Sequence, residues 1–229
     1  MLLEICANSF QSAKNAQDAG AHRIELCQEL SVGGITPSYG LIKQVIESIR
    51  IPVVVLIRPR SGNFIYTDDE FEIMKQDILI SKDLGGHGIV SGVLNADRTI
   101  DMQRTNELVE LSKPLPFTFH RAFDEVVNPE EALAQLMDLE VERVLTSGQQ
   151  STAEKGLDLL RALNDISNER ITILAGGGIN ATNVLEFKKW GFKEIHASAS
   201  KKIDQEKSMF GMTQTVSDLN TIKAIIKLI

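Results

Sequence analysis

Two short runs, Glu4-Ile-Cys6 and Glu25-Leu-Cys27, each set a carboxylate and a thiol two residues apart. In extended chain the side-chain period is two, so each Glu shares a face with its Cys. Leu3, Ile5, Ile24 and Leu26 take the opposite, apolar face. Thiolates are soft ligands. Two of them without a histidine cluster suit a soft, low-coordinate ion such as Cu(I) better than Zn(II). The plain alternative makes the cysteines small buried hydrophobes. For the glutamates it is a buried ion-pair network with Arg58 or another basic group, because an uncompensated carboxylate is costly to bury.

Further along stand groups suited to an anion or to proton transfer. Arg58-Pro59-Arg60 offers two guanidinium forks able to clamp a phosphate or carboxylate; the alternative for Arg58 is to neutralise Glu4 or Glu25. His120, in Phe119-His120-Arg121, is the acid–base candidate by type, with Glu25 or Glu4 as a second carboxylate. His196 is a weaker candidate, and His22 and His87 start strands. Gly176-Gly177-Gly178 can bring backbone N–H groups close to an anion, whereas Asn180 beyond it reads equally as a helix cap.

These residues sit at the ends of β-branched runs that alternate with amphipathic ones. The strand candidates are Leu2–Cys6, His22–Cys27, Val53–Arg58, Gly88–Gly92, Phe117–His120, Arg143–Thr146, Ile171–Ala175 and Glu194–Ser198. Apolar stripes at helical spacing follow several of them: Leu41, Ile42, Val45, Ile46 and Ile49; Phe71, Met74 and Ile78; Leu133, Leu136 and Leu139; Leu157, Leu160 and Leu163; Leu219, Ile222, Ile225, Ile226 and Ile229. Eight such units in 229 residues predict an α/β chain forming one (β/α)8 TIM-type barrel over 1–229, with eight outer helices. In that fold ligands bind at the strand C-termini, so Glu4, Cys6, Glu25, Cys27, Arg58 and His120 are expected inside the barrel or at one rim. The polar stretch 201–215 reads as a loop.

Composition narrows the class. A formal net charge of −7 argues against a nucleic-acid binder. No apolar run has the length of a membrane span. The start, MLLEICANSF, lacks a basic region and does not read as a signal peptide. Two cysteines exclude a disulfide-dense scaffold and suit a reducing compartment.

The stretches LEICANS, GAHRIELC, GGITPS, IRPRSGNFIYTDDE, FTFHRAFDE, RVLTSG and AGGGI, in that order from Leu2 to about Ser198, resemble the signature segments of the CutC copper homeostasis protein family. The resemblance implies a cytoplasmic TIM-type barrel, a homo-oligomer, with copper held by the two strand-end cysteines, Cys6 and Cys27. Two features depart from the family pattern. Asn63 replaces an acid, and the part after Ser198 is short. Two readings therefore stand side by side, with a protein that only senses a small anion as a third. One is a cytoplasmic Cu(I)-binding protein of copper homeostasis. The other is an enzyme of unknown reaction on a small anionic or phosphorylated molecule, with Glu25 and His120 as acid–base groups and Arg58, Arg60, Gly176, Gly177 and Gly178 as the anion site.

Overall fold

The computed structural model describes residues 1–203 and 214–229. Each strand candidate forms a strand: β1 (Leu2–Ala7), β2 (Arg23–Leu26), β3 (Val53–Leu56), β4 (Gly88–Ser91), β5 (Phe117–Phe119), β6 (Arg143–Thr146), β7 (Thr172–Gly176) and β8 (Glu194–Ala197). They pair in parallel in chain order, and β1 closes on β8 to complete an eight-stranded barrel. The closing register sets Leu2 opposite Glu194 and Glu4 opposite His196.

Eight α-helices are present among the described residues: α1 (Phe10–Ala19), α2 (Tyr39–Ser48), α3 (Asp68–Asp83), α4 (Met102–Ser112), α5 (Pro129–Asp138), α6 (Leu157–Ser167), α7 (Val184–Lys189) and α8 (Leu219–Ile226). Local chemistry starts many of them. Ser9, Ser38, Thr67, Asp101, Asn128 and Asp218 each accept a first-turn N–H through the side chain, which satisfies a donor the helix leaves free. Thr67 and Glu70 complete a reciprocal capping box on α3.

The core lies in two layers. Leu3, Ile5, Ile24 and Leu26 face outward and, like Ile42, Val45, Met74, Ile78, Leu133, Leu136, Leu160, Leu163, Ile222 and Ile225 from the helices, belong to one large buried cluster. Each fully buried side chain of this size contributes about 1.5–3 kcal/mol. Inside the barrel a smaller apolar cluster joins Cys6, Cys27, Val54, Leu56 and Val90. The period-two alternation therefore assigns the two sides of the sheet as the sequence predicts.

Strand ends differ from expectation by a residue or two. β3 stops at Leu56 and β5 at Phe119, because Arg58 and His120 turn into loops that carry the site. The larger difference lies after β8. Ser200–Lys202 (β9) and Thr215–Ser217 (β10) form an antiparallel pair where a loop was expected; the middle of that stretch, 204–213, is outside the described residues. The β10 end is anchored to the start of the chain. The Ser217 N–H donates to Ser12 Oγ at 3.0 Å, the Ser217 hydroxyl to the Cys6 carbonyl at 3.2 Å, and the Asn8 side-chain amide to the Thr215 carbonyl at 3.1 Å.

Candidate functional site

All eight strands run the same way, so their C-termini meet at one mouth. A cavity of about 220 Å³ opens there, lined by residues that include Cys6, Glu25, Arg58, His120, Gly177, Gly178 and His196. His22 and His87 lie at the other end of the strands, and each Nδ1 accepts a backbone N–H, from Leu3 and Val53 respectively.

A charged ladder fills the barrel beneath the cavity. Arg143 Nε donates to Glu194 Oε2 at 2.9 Å, and Arg23 bridges Glu194 and Glu4. Glu4 Oε1 then meets His196 Nδ1 at 2.8 Å. The basic partners of Glu4 are thus Arg23 and His196, not Arg58. β1 sets Glu4 directly across from Arg23 on β2 and from His196 on β8, so the pairing follows from barrel closure. Burial pushes the Glu4 carboxyl upward, but the His196 hydrogen bond and the Arg23 charge outweigh it and hold the group down at about 2. Burial alone would lower His196; its contacts with Cys6 and Glu4 raise it well above the ordinary imidazole value.

Cys6 stands above this pair. Its sulfur lies 3.5 Å from Cys27 Sγ and 3.8 Å from Glu25 Oε1. The neighbouring Cys27 thiol and burial raise the Cys6 thiol well above its usual range. Burial likewise lifts Glu25 to about 7. Cys6 Sγ, a Glu25 oxygen and a His196 ring nitrogen all lie within 4.8 Å of one another. His196 thus joins the ligand candidates ahead of its sequence rank. The available signal was its even spacing from Glu194, which points it into the barrel.

Cys27 is fully buried. The loop after it folds back through a bridge between Gln28 and Ile35, and Gly34, at φ +85°, packs so closely that a Cβ would come 2.8 Å from Leu56 Cδ2 and 3.3 Å from Cys27 Cβ. Arg58 pins this cover. Its guanidinium donates to the carbonyls of Val32, Gly34 and Gly62 at 2.8, 2.7 and 2.7 Å. Arg60 is directed elsewhere: it pairs with Glu70 at the start of α3, bonds the loop at Asn63 and Ile65, and does not line the cavity. Asn63 Oδ1 in turn accepts from Arg60 and from the Ile65 N–H.

His120 is buried beside Phe64, with ring centroids 4.8 Å apart. Its Nδ1 accepts the Ala122 N–H at 3.3 Å. Burial and the Arg58 charge pull it down to about 3, so the ring is neutral at ordinary pH. The glycines divide by role. Gly176 serves packing, since a Cβ there would meet Leu145 Cδ1 at 2.5 Å and His196 Cβ at 3.2 Å. Gly177 and Gly178 line the cavity, joined there by Arg121, which the sequence pattern did not single out.

A closed TIM-type barrel with a buried thiol–carboxylate–imidazole cluster at its C-terminal mouth defines the class. The chain belongs to the CutC family, whose model matches residues 1–201. It is 50% identical over 200 residues to the family protein CutC of Proteus mirabilis, covering 87% of this chain and 80% of that one. It is 47% identical over 199 residues to the human copper homeostasis protein cutC homolog, covering 86% and 73%. A crystal structure of a CutC protein from Streptococcus agalactiae superposes with a TM-score of 0.81 at 35% identity, covering 86% of this chain and 98% of that one. A structure described as QR15, an aldolase, shares the fold alone, with a TM-score of 0.65 at 13% identity over 83% of each chain. No helix among the described residues is long and apolar enough to cross a membrane.

Proposed function

We propose that this protein binds Cu(I) at the barrel mouth through Cys6 and Cys27 and serves copper homeostasis. The observation that carries the reading is the 3.5 Å separation of the two sulfurs at adjacent strand ends. Soft thiolates select a soft monovalent ion. The copper homeostasis name of the human relative agrees with this choice. His196 supports the pair as a third donor: its Nδ1 is held by Glu4, an arrangement that fixes ring orientation and leaves Nε2 for the metal. The same reading places the protein in the reducing cytoplasm, where free thiols persist, and as a homo-oligomer, which size-exclusion chromatography with light scattering checks.

Competition of the reduced protein against a chromophoric Cu(I) chelator tests the site. Cys6→Ser and Cys27→Ser are each expected to weaken Cu(I) binding by at least about 100-fold, because each removes one of two thiolates on which the soft-ion selectivity depends. Equal affinity in the wild type and both variants would eliminate the site.

A further inference from the structure

The wall of the cavity opposite the thiols carries a different set of groups. Arg121 follows His120 in a short 3-10 turn (Arg121–Glu125). Its Nε donates to Asp124 Oδ2 at 2.7 Å and its Nη2 to Ser147 Oγ at 2.8 Å. These bonds fix the guanidinium plane and leave Nη1 without a partner among the described residues. Asp124 does not oppose an incoming anion freely, since it also accepts from Thr146 Oγ1 and from the Ser147 and Gln149 N–H groups.

Gly177 lies beside that plane. A Cβ built on it would stand 3.9 Å from Arg121 Cζ. Gly177 and Gly178 have φ of +108° and +78°, and neither N–H is taken up by an acceptor among the described residues. Successive free amides in such a turn form a concave seat for an oxyanion, and the planar arginine fork matches phosphate geometry.

The floor supplies the second observation. Because His120 Nδ1 accepts the Ala122 N–H, the neutral ring carries its proton on Nε2. That Nε2–H is buried and has no partner, and neither has Glu25 Oε2. Both residues line the cavity and are at least nine-tenths buried, at 4% and 5% exposure. Unmet buried polar atoms are rare and costly. A hydroxyl, which accepts and donates, answers both. Leu30, Leu56, Phe64 and Leu145 border the same space and suit a short carbon skeleton.

We propose that the cavity binds a small hydroxylated phosphate monoester, its phosphate on Arg121, Gly177 and Gly178 and a hydroxyl between His120 and Glu25. The proposal does not rest on Cu(I) binding, and the anion seat contains neither Arg58 nor Arg60.

The test is isothermal titration of the reduced, metal-free full chain with glycerol 3-phosphate, inorganic phosphate and glycerol. Working without metal separates this result from the Cu(I) competition. Glycerol 3-phosphate is expected to bind tightest, inorganic phosphate more weakly, and glycerol not detectably. Arg121→Ala is expected to weaken both phosphates by about 10-fold or more, the scale of a lost charged hydrogen bond. His120→Asn keeps an acceptor for the Ala122 N–H but withdraws the Nε2–H; it is expected to bring glycerol 3-phosphate down to the affinity of inorganic phosphate. Thermal melts establish that each variant is folded. Absence of heat with glycerol 3-phosphate, or unchanged affinity in folded Arg121→Ala, overturns the proposal.

Discussion

The Cys6 and Cys27 sulfurs lie 3.5 Å apart, yet only Cys6 borders the cavity, while Cys27 is sealed beneath the loop that Arg58 holds. Proximity and access are therefore separated in one thiol pair. The register explains it: Cys6 stands opposite Glu25, and Cys27 is the first residue beyond β2, where the chain bends into its cover.

Thiol reactivity follows. The thiolate is the reactive form, and the Cys6 thiol is raised well above its ordinary 9.0. Ellman's reagent at pH 8 is expected to react slowly with the native protein and to reveal two thiols at once in urea. Arg58→Ala, by freeing the Val32 and Gly34 carbonyls, is expected to speed native labelling of Cys27 by about 10-fold or more, on the scale of one lost charged hydrogen bond. Labelling as slow as in the wild type counts against the strap.

Metal binding must displace protons from groups that hold them tightly. Since Cys6 and His196 are both raised, Cu(I) affinity is expected to climb with pH across the neutral range, because competing protons leave. Chelator competition at pH 6, 7 and 8 measures the slope. A flat profile is inconsistent with Cys6 as a ligand.

Stability should depend on pH through the same cluster. Glu4, lowered to about 2 from 4.5, contributes stability that is complete above 4.5 and lost as pH falls towards 2. Glu25, raised to about 7, acts in the opposite sense: the folded state retains its proton, so stability declines from pH 4.5 through 7. His196, also raised, adds a loss above its ordinary 6.5. In urea titrations over pH 3 to 8, Glu25→Gln is expected to gain on the wild type as pH rises above 4.5. Glu4→Gln is expected to cost about 3 kcal/mol at neutral pH, as for one partner removed from a buried ion pair, and to cost less in acid.

Two glycines give opposite expectations for the same substitution. A Cβ at Gly92 would come 2.7 Å from His120 Nδ1 and 2.9 Å from its Cε1, whereas one at Gly40 in α2 meets nothing within 4 Å. Gly92→Ala is expected to destabilise by about 1–3 kcal/mol through overpacking. Gly40→Ala is expected to stabilise by about 0.5 kcal/mol through helix propensity. Denaturant midpoints decide both.

The sequence made the strands and their sidedness legible because both depend on local period. Arg143–Thr146 forms a strand with the expected bounds, and Glu4, Cys6, Glu25 and Cys27 share the barrel interior. Partners were less legible. Arg23 meets Glu4 only because of strand register, and no local pattern marks that. Arg58 and Arg60 look equivalent in Arg-Pro-Arg, but both lie in the loop beyond the end of β3. One guanidinium then finds loop carbonyls and the other Glu70. Arg121 faces the cavity because a 3-10 turn redirects it. The β9 and β10 arms are short and polar, so they carry no apolar alternation to read.

Closure of β1 on β8 also sets an order of events during synthesis. Leu2 must wait for Glu194, and Glu4 for His196. At about 5–20 residues per second, that interval is roughly 10–40 s. Until then the first strand has a bare edge on the ribosome-borne chain, and Cys6 lacks the imidazole beneath it. The paired sulfurs are made long before His196, so their setting is finished only well after they are.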